Sequence, residues 1–205
     1  MDTVVPMTSA PRWLTDTEPG HSQWYISRFR DMAADGADLV GEARLIDAMV
    51  GREARILDAG CGPGRVGGHL HRAGHRVTGV DVDPELVDAA RTDHPGPDWR
   101  VADLADLDLV DDDGARSLFD AIVCAGNVMA FVAPDSEAVV LRRLAEHLAS
   151  DGVLAVGFHV AKLPIEQFDA AVAQTDLVLD LRLATWDVRP WRPDADFAVS
   201  LLRHP

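Results

Sequence analysis

The sequence predicts an α/β fold built as a doubly wound, mostly parallel sheet with helices on both faces. Three observations carry that expectation. Short apolar runs alternate with amphipathic stretches from Ala54 to Gln174, as strands do when crossover helices return the chain. The first run ends in Asp58-Ala59-Gly60-Cys61-Gly62-Pro63-Gly64, where an acid is followed by three glycines at alternate positions. Main chain of that composition turns sharply and lets a ligand approach without intervening side chains. The last two apolar runs, Leu177 to Trp186 and Asp196 to Arg203, are joined by a Pro/Trp-rich turn with no helix between them. They are expected to pair as an antiparallel hairpin, residues 177–203, at one end of the sheet.

The elements follow in order. Residues 1–20 are rich in Pro, Thr and Asp and are expected to form a flexible segment, mobile or draped over the surface. A helix is expected from Ser22, as its cap, to Ala34, and another from Gly41 to Val50. Ala54 to Ala59 reads as a buried strand, followed by the glycine loop and a helix to Ala73. Arg76 to Val80 is the second strand, and Pro84 opens a helix to Thr92, since proline suits a first helical position. Trp99 to Ala102 and Phe119 to Ala125 are the third and fourth strands. A capped helix is expected over Asp135 to Ala149, a fifth strand over Gly152 to Val160, and a helix over Pro164 to Gln174.

Composition bounds the function. A chain of 205 residues, 47% of them apolar, makes one domain with a full core, assigned to 21–205. A net charge of -15 repels phosphate backbones and anionic membranes, so neither nucleic acid nor membrane is an expected partner. Two cysteines do not make a secreted disulfide framework, and thiols packed in their reduced form are expected at Cys61 and Cys124. Met1 to Ala10 lacks the pattern of a signal peptide, and no apolar run reaches the roughly 18 residues of a membrane span. A cytoplasmic monomer or homodimer is the expectation.

The glycine loop admits two readings. Gly62-Pro63-Gly64-Arg65-Val66-Gly67 fits the G-x-G-x-x-G fingerprint of dinucleotide sites. A pyrophosphate, however, needs amide donors free of nearby anions, and Asp58 stands at the mouth of the loop. S-adenosylmethionine has no phosphate and carries an ammonium and a sulfonium, so an acid there is tolerated. Asp81 ends the second strand, where an acid accepts both ribose hydroxyls. Asp103 follows the third strand, within reach of an adenine amino group, with Val82 and Leu104 on either side of the ring.

With these residues in view, the chain resembles class I S-adenosylmethionine-dependent methyltransferases over roughly residues 40–160. The acid-x-Gly-x-Gly-x-Gly motif falls on Asp58, Gly60, Gly62 and Gly64. The ribose acid falls on Asp81, the adenine-side acid on Asp103, and the fourth-strand segment on Asp120 to Asn127. The resemblance implies a Rossmann-like, doubly wound, seven-stranded sheet with an antiparallel C-terminal strand. It implies S-adenosylmethionine as cofactor, contacted also through Ala59, Arg65 and Ala125. It further implies an N-terminal lid formed by residues 22–50, with Arg28 or Arg30 on the methionine carboxylate and Tyr25 or Trp24 over the sulfonium.

Methyl transfer is an in-line displacement at an activated carbon, so proximity and orientation dominate and a strong base is optional. Asn127, after the fourth strand, where its amide could orient an acceptor or a cofactor amine, is a catalytic and cofactor-contact candidate, and His159, ending the fifth, is the other catalytic candidate. Lys162 and Glu166 carry less weight. The Asn-Pro-Pro-Tyr signature of base and glutamine methylation is absent, as Gly126-Asn127-Val128-Met129 stands there, which favours a small-molecule acceptor. The acidic run from Asp106 to Asp113 reads as a solvated loop, and no metal is expected. Trp186 and Trp191 are left between an acceptor pocket and a subunit contact. Two other readings compete: an NAD(P)-dependent oxidoreductase, disfavoured by a lone tyrosine and a lone lysine far apart in sequence, and a non-catalytic S-adenosylmethionine-binding protein.

Overall fold

The computed structural model describes residues 9–205. A single sheet of seven strands runs in the order β3-β2-β1-β4-β5-β7-β6. The strands are β1 (Arg55–Ala59), β2 (Arg76–Asp81), β3 (Asp98–Val101), β4 (Phe119–Cys124), β5 (Leu148–His159), β6 (Val178–Leu183) and β7 (Phe197–Arg203). Neighbours pair parallel except where β7 meets β5 and β6, so β7 alone runs against the rest. The expected α/β fold with its terminal antiparallel hairpin is therefore the observed one.

The helices are α1 (Arg12–Thr15), α2 (His21–Ala34), α3 (Gly41–Met49), α4 (Arg65–Arg72), α5 (Pro84–Asp93), α6 (Val128–Phe131), α7 (Glu137–Glu146) and α8 (Ile165–Val172). Successive strand residues point to opposite faces, and both faces are covered. Leu57, Ile122 and Leu154 pack with Leu141 and Leu144 of α7 and Phe168 of α8. Ile56, Ala121 and Val123 pack with Ile46 of α3 and Leu70 of α4. A strand buried on both faces is a continuous apolar run, which is why these strands show no alternation in the sequence.

Three boundaries differ from expectation for physical reasons. Gly20, at φ +85°, precedes α2, and Ser22 does not cap it: the Ser22 hydroxyl donates to the Asp83 carboxylate. Helix α7 starts at Glu137 because the Ser136 hydroxyl turns back to the Ala133 carbonyl at 2.7 Å. Ala149 is strand, not helix, because β5 begins at Leu148, paired with Phe119. Of the expected flexible segment 1–20, residues 1–8 lie outside the described residues. Residues 9–20 include α1 and lie over the cleft described below.

The connections from β1 run outward through β2 to β3, whereas those from β4 run the other way. A crevice opens at that switch point, beyond the carboxyl ends of β1 and β4.

Candidate active site

The loop after β1 is held by main chain. The amides of Gly60 and Cys61 both donate to the Val80 carbonyl, at 2.8 and 2.9 Å, so the loop is tied to the end of β2. Gly60 sits at φ +78°, and a Cβ there would lie 2.3 Å from Cγ2 of Val128. Only glycine satisfies both conditions.

Three carboxylates stand around the loop. Asp58, 2% exposed, accepts from the Gly67 amide at 2.8 Å, and its burial pushes the carboxyl up to about 7. Asp81 accepts from the Gly62 amide at 2.8 Å and from the Asp83 amide at 3.0 Å, and burial pushes it to about 6. Each bond occupies one lone pair of a carboxylate oxygen, leaving Asp81 further capacity toward the cleft. Asp103 caps the 3-10 turn at Leu104–Asp106 by accepting from the Ala105 amide at 2.9 Å.

These groups line a cleft of about 830 Å³, open mouth included, within the usual range for small-ligand sites. Tyr25, Asp58, Gly60, Gly62, Arg65, Asp81, Val82, Asp103, Leu104 and Ala125 stand on its wall, as anticipated. Ala59 and Gly64 do not. Ala59 is wholly buried in the core, and Gly64 backs onto Ala90 and Trp99. Arg65 lines the cleft, but its two terminal nitrogens bind the Glu42 carboxylate and one also donates to the Leu39 carbonyl at 2.7 Å. Its charge is spent on joining α4 to α3.

The remaining candidates stand off the wall. Arg28 is exposed, with its guanidinium 5.7 Å from the Trp24 ring centre. Arg30 pairs with Asp93 at 2.9 Å, which removes it as a carboxylate ligand. The Asn127 amide oxygen accepts from the His159 main-chain N–H at 2.7 Å, tying β4 to β5, and the His159 ring packs edge-on against Phe197. Both lie at the carboxyl ends of β4 and β5, and neither side chain lines the cleft. Trp186 lies over Gly157 of β5, and Trp191 stacks with Arg182, so neither lines the cleft. Cys61 and Cys124 are buried free thiols whose burial pushes them well up, so neither is a ready nucleophile.

Trp13 escaped sequence reasoning because its segment has no periodicity. Its ring lines the cleft and packs edge-on against Tyr25 and Phe131, at 5.4 and 5.7 Å. Its indole N–H donates to Asp83 at 2.8 Å, beside the Ser22 hydroxyl on the same oxygen. The other Asp83 oxygen caps α5 through the Glu85 amide. Asp83 thus latches the N-terminal segment and α2 to the body of the domain. The signal for it was the Asp-Pro-Glu sequence of a capped helix start.

Among the described residues, the wall of the cleft carries three carboxylates and one guanidinium already neutralised by Glu42. That donor set suits a nucleoside bearing positive charge and opposes a diphosphate.

A methyltransferase-domain profile matches residues 56–152. The solved TehB-like SAM-dependent methyltransferase of Corynebacterium glutamicum is 40% identical, with a TM-score of 0.85, over 92% of this chain and 100% of that one. The chain belongs to the S-adenosylmethionine-dependent methyltransferases. It is also 33% identical over 119 residues to the magnesium-protoporphyrin O-methyltransferase of Rhodobacter capsulatus, covering 54% of this chain and 49% of that protein. Over 104 residues it is 33% identical to the N-demethylindolmycin N-methyltransferase of Streptomyces griseus, covering 49% and 42%. The chain therefore spans less than half the length of these two relatives. Among the described residues, no helix is long and apolar enough to cross a membrane.

Proposed function

We propose that the chain transfers the methyl group of S-adenosylmethionine to a small-molecule acceptor. The observation that carries this is the acid-lined, glycine-floored cleft at the switch point of the sheet. Asp81 would take the ribose hydroxyls, Val82 and Leu104 the faces of the adenine, and Asp58 the ammonium end. When bound, the cofactor supplies an electrophilic methyl carbon. The chain's own part is to orient that carbon, exclude water through the Trp13–Tyr25–Phe131 wall, and position the acceptor.

Among the described residues, the wall holds no histidine or lysine to serve as base. The acceptor on this reading brings a nucleophile that needs little deprotonation. Both named relatives act on small molecules, one at oxygen and one at nitrogen, which supports the acceptor class and leaves the atom open. Turnover of labelled S-adenosylmethionine over a panel of phenols, amines and organic acids tests the reading. S-adenosylhomocysteine binding without turnover of any of them would favour a non-catalytic binder.

The raised carboxyls predict a pH dependence. Asp81 at about 6 and Asp58 at about 7 are protonated in the cofactor-free protein below those values. Hydroxyl and ammonium donors bind the ionised forms better. Affinity for S-adenosylhomocysteine is therefore expected to rise with pH through this window, with a loss of about tenfold at pH 5 from Asp81 alone. Calorimetry near pH 6 in buffers of different ionisation enthalpy should register proton release. The sign for stability is opposite to ordinary acid unfolding. These two groups are raised above 3.8, so their contribution grows as pH falls from about 7 toward 4.

The latch gives a second expectation. Trp13→Phe keeps the ring and removes the donor to Asp83, so the lid loosens. S-adenosylhomocysteine should dissociate about five to ten times faster in stopped-flow measurements, with little change in melting temperature. An unchanged off-rate would mean that the segment covers the cleft without restraining it.

A further inference from the structure

Phe131, the last residue of α6, is a wall shared by two spaces. One side faces the cofactor cleft, and the other faces a hollow of about 700 Å³, solvent at its mouth included. Arg12 and Lys162 both stand on that hollow. Lys162 is the sole lysine of a chain whose net charge is -15. Its Nζ lies 4.8 Å from the centre of the Phe131 ring, and among the described residues it has no ion-pair partner.

Arg12 is loosely held. Its Nη1 is 3.4 Å from the Ala130 carbonyl and 4.0 Å from Oε1 of Glu137, so most of its planar donor set is unused. Glu137, 4% exposed, also accepts from Gln167 Nε2 at 3.0 Å and fixes that amide at the hollow's edge. Among the described residues, the one carboxylate on the wall is Asp16, exposed at the rim and accepting from the Thr15 hydroxyl. Apolar surface comes mainly from Phe131, since Leu163 on the same wall is 1% exposed. Two cations with donors to spare thus flank an aromatic wall, on the far side of which lies the cleft.

We propose that this hollow is the docking subsite for a small organic acid, whose carboxylate is held by Lys162 and Arg12 while its apolar body lies on Phe131. The inference rests on the methyltransferase reading and deepens it by naming the acceptor class. A carboxylate matches a guanidinium and an ammonium through charge-assisted hydrogen bonds. On this proposal the acceptor extends around Phe131, which borders both spaces, to bring its nucleophilic atom to the cleft. Salt screens charges beyond about 8 Å, so the carboxylates that count here are Asp16 at the rim and Glu137 beside Arg12.

The single lysine makes the test direct. Protein grown with lysine labelled at the ε-carbon carries one such side-chain signal, and benzoate is titrated against it with S-adenosylhomocysteine present. A saturable shift is expected with benzoate and none with the neutral isostere benzamide. Arg12→Gln should weaken the benzoate response by about tenfold. A signal that does not move with benzoate, or moves equally with benzamide, overturns the proposal without recourse to any variant. A response unaltered in a folded Arg12→Gln protein removes Arg12 from it. Calorimetry with S-adenosylhomocysteine on the same samples reports separately on the cofactor reading. Absence of that binding would sink the proposed methyl transfer, while the lysine signal would still decide whether the hollow takes a carboxylate.

Discussion

Replacing Asp81 by alanine is expected to raise the dissociation constant for S-adenosylhomocysteine by about a hundredfold. Two hydrogen bonds from ribose hydroxyls to a buried carboxylate are each worth about 1.5 kcal/mol or more, and about 1.4 kcal/mol is a factor of ten. The same carboxylate holds the Gly62 and Asp83 amides, so its loss also loosens the glycine loop. The fold itself should survive. At neutral pH the ionised Asp81 is held against the cost of its burial, and removing it relieves that cost while giving up two main-chain bonds. The melting temperature of the cofactor-free variant is thus expected to move little as affinity collapses. Asp81→Asn should fall between, retaining one acceptor oxygen without the charge, and should flatten the pH dependence below neutrality. An affinity for Asp81→Ala within about threefold of wild type would remove the ribose from this position.

Gly60→Ala is expected to have the largest effect on stability, about 2–5 kcal/mol. Part is backbone strain, since φ +78° costs a residue with a Cβ about 1–2 kcal/mol. The rest is collision, because the new methyl would meet Val128 Cγ2 at 2.3 Å and either α6 or the loop must shift. In a domain of this size the melting temperature should fall by roughly 5–15 °C. Gly62→Ala separates the two roles of the loop. Its Cβ would meet only Tyr25, at an ordinary 3.7 Å, so the cost to stability is about 1 kcal/mol of strain at φ +53°. Gly62 lines the cleft, however, so the added methyl is expected to weaken S-adenosylhomocysteine binding more than it weakens the fold. The opposite ranking of the two variants would contradict the division between a packed glycine and an open one.

Most of the fold was legible because its elements are long relative to their periods. The strands around β1 are short, mostly apolar runs, β1 closed by the glycine loop, and α5 announces itself with Asp83-Pro84-Glu85. What escaped was short. Helices α1 and α6 have four residues each, and a single turn has no period to read. The cap misassigned to Ser22 failed for another reason. Its hydroxyl found a partner 61 positions away in Asp83, and no local rule anticipates a competitor at that distance.

The wall of the cleft divides along the same line. Acids and glycines at strand ends are placed by the strand itself, so Asp58, Gly60, Gly62, Asp81 and Asp103 were found from sequence. Which side chains stay free for a ligand depends on remote partners, and that was not legible. Asn127 turns to the main chain of His159, 32 positions on, and Arg65 is claimed by Glu42, 23 positions back. Trp13 is held over the cleft by Asp83, 70 positions away.

The amino-acid order alone determined the alternation of strand and helix, the bare main chain after β1 and the three acids at the ends of successive strands. Each is a local consequence of residue type and spacing. Only the folded chain decided which charges remain available to a ligand. Long side chains take whichever partner the packing brings within reach, and that choice neutralised Arg65, turned Asn127 to the main chain of His159 and left Lys162 beside Phe131 with no ion pair among the described residues.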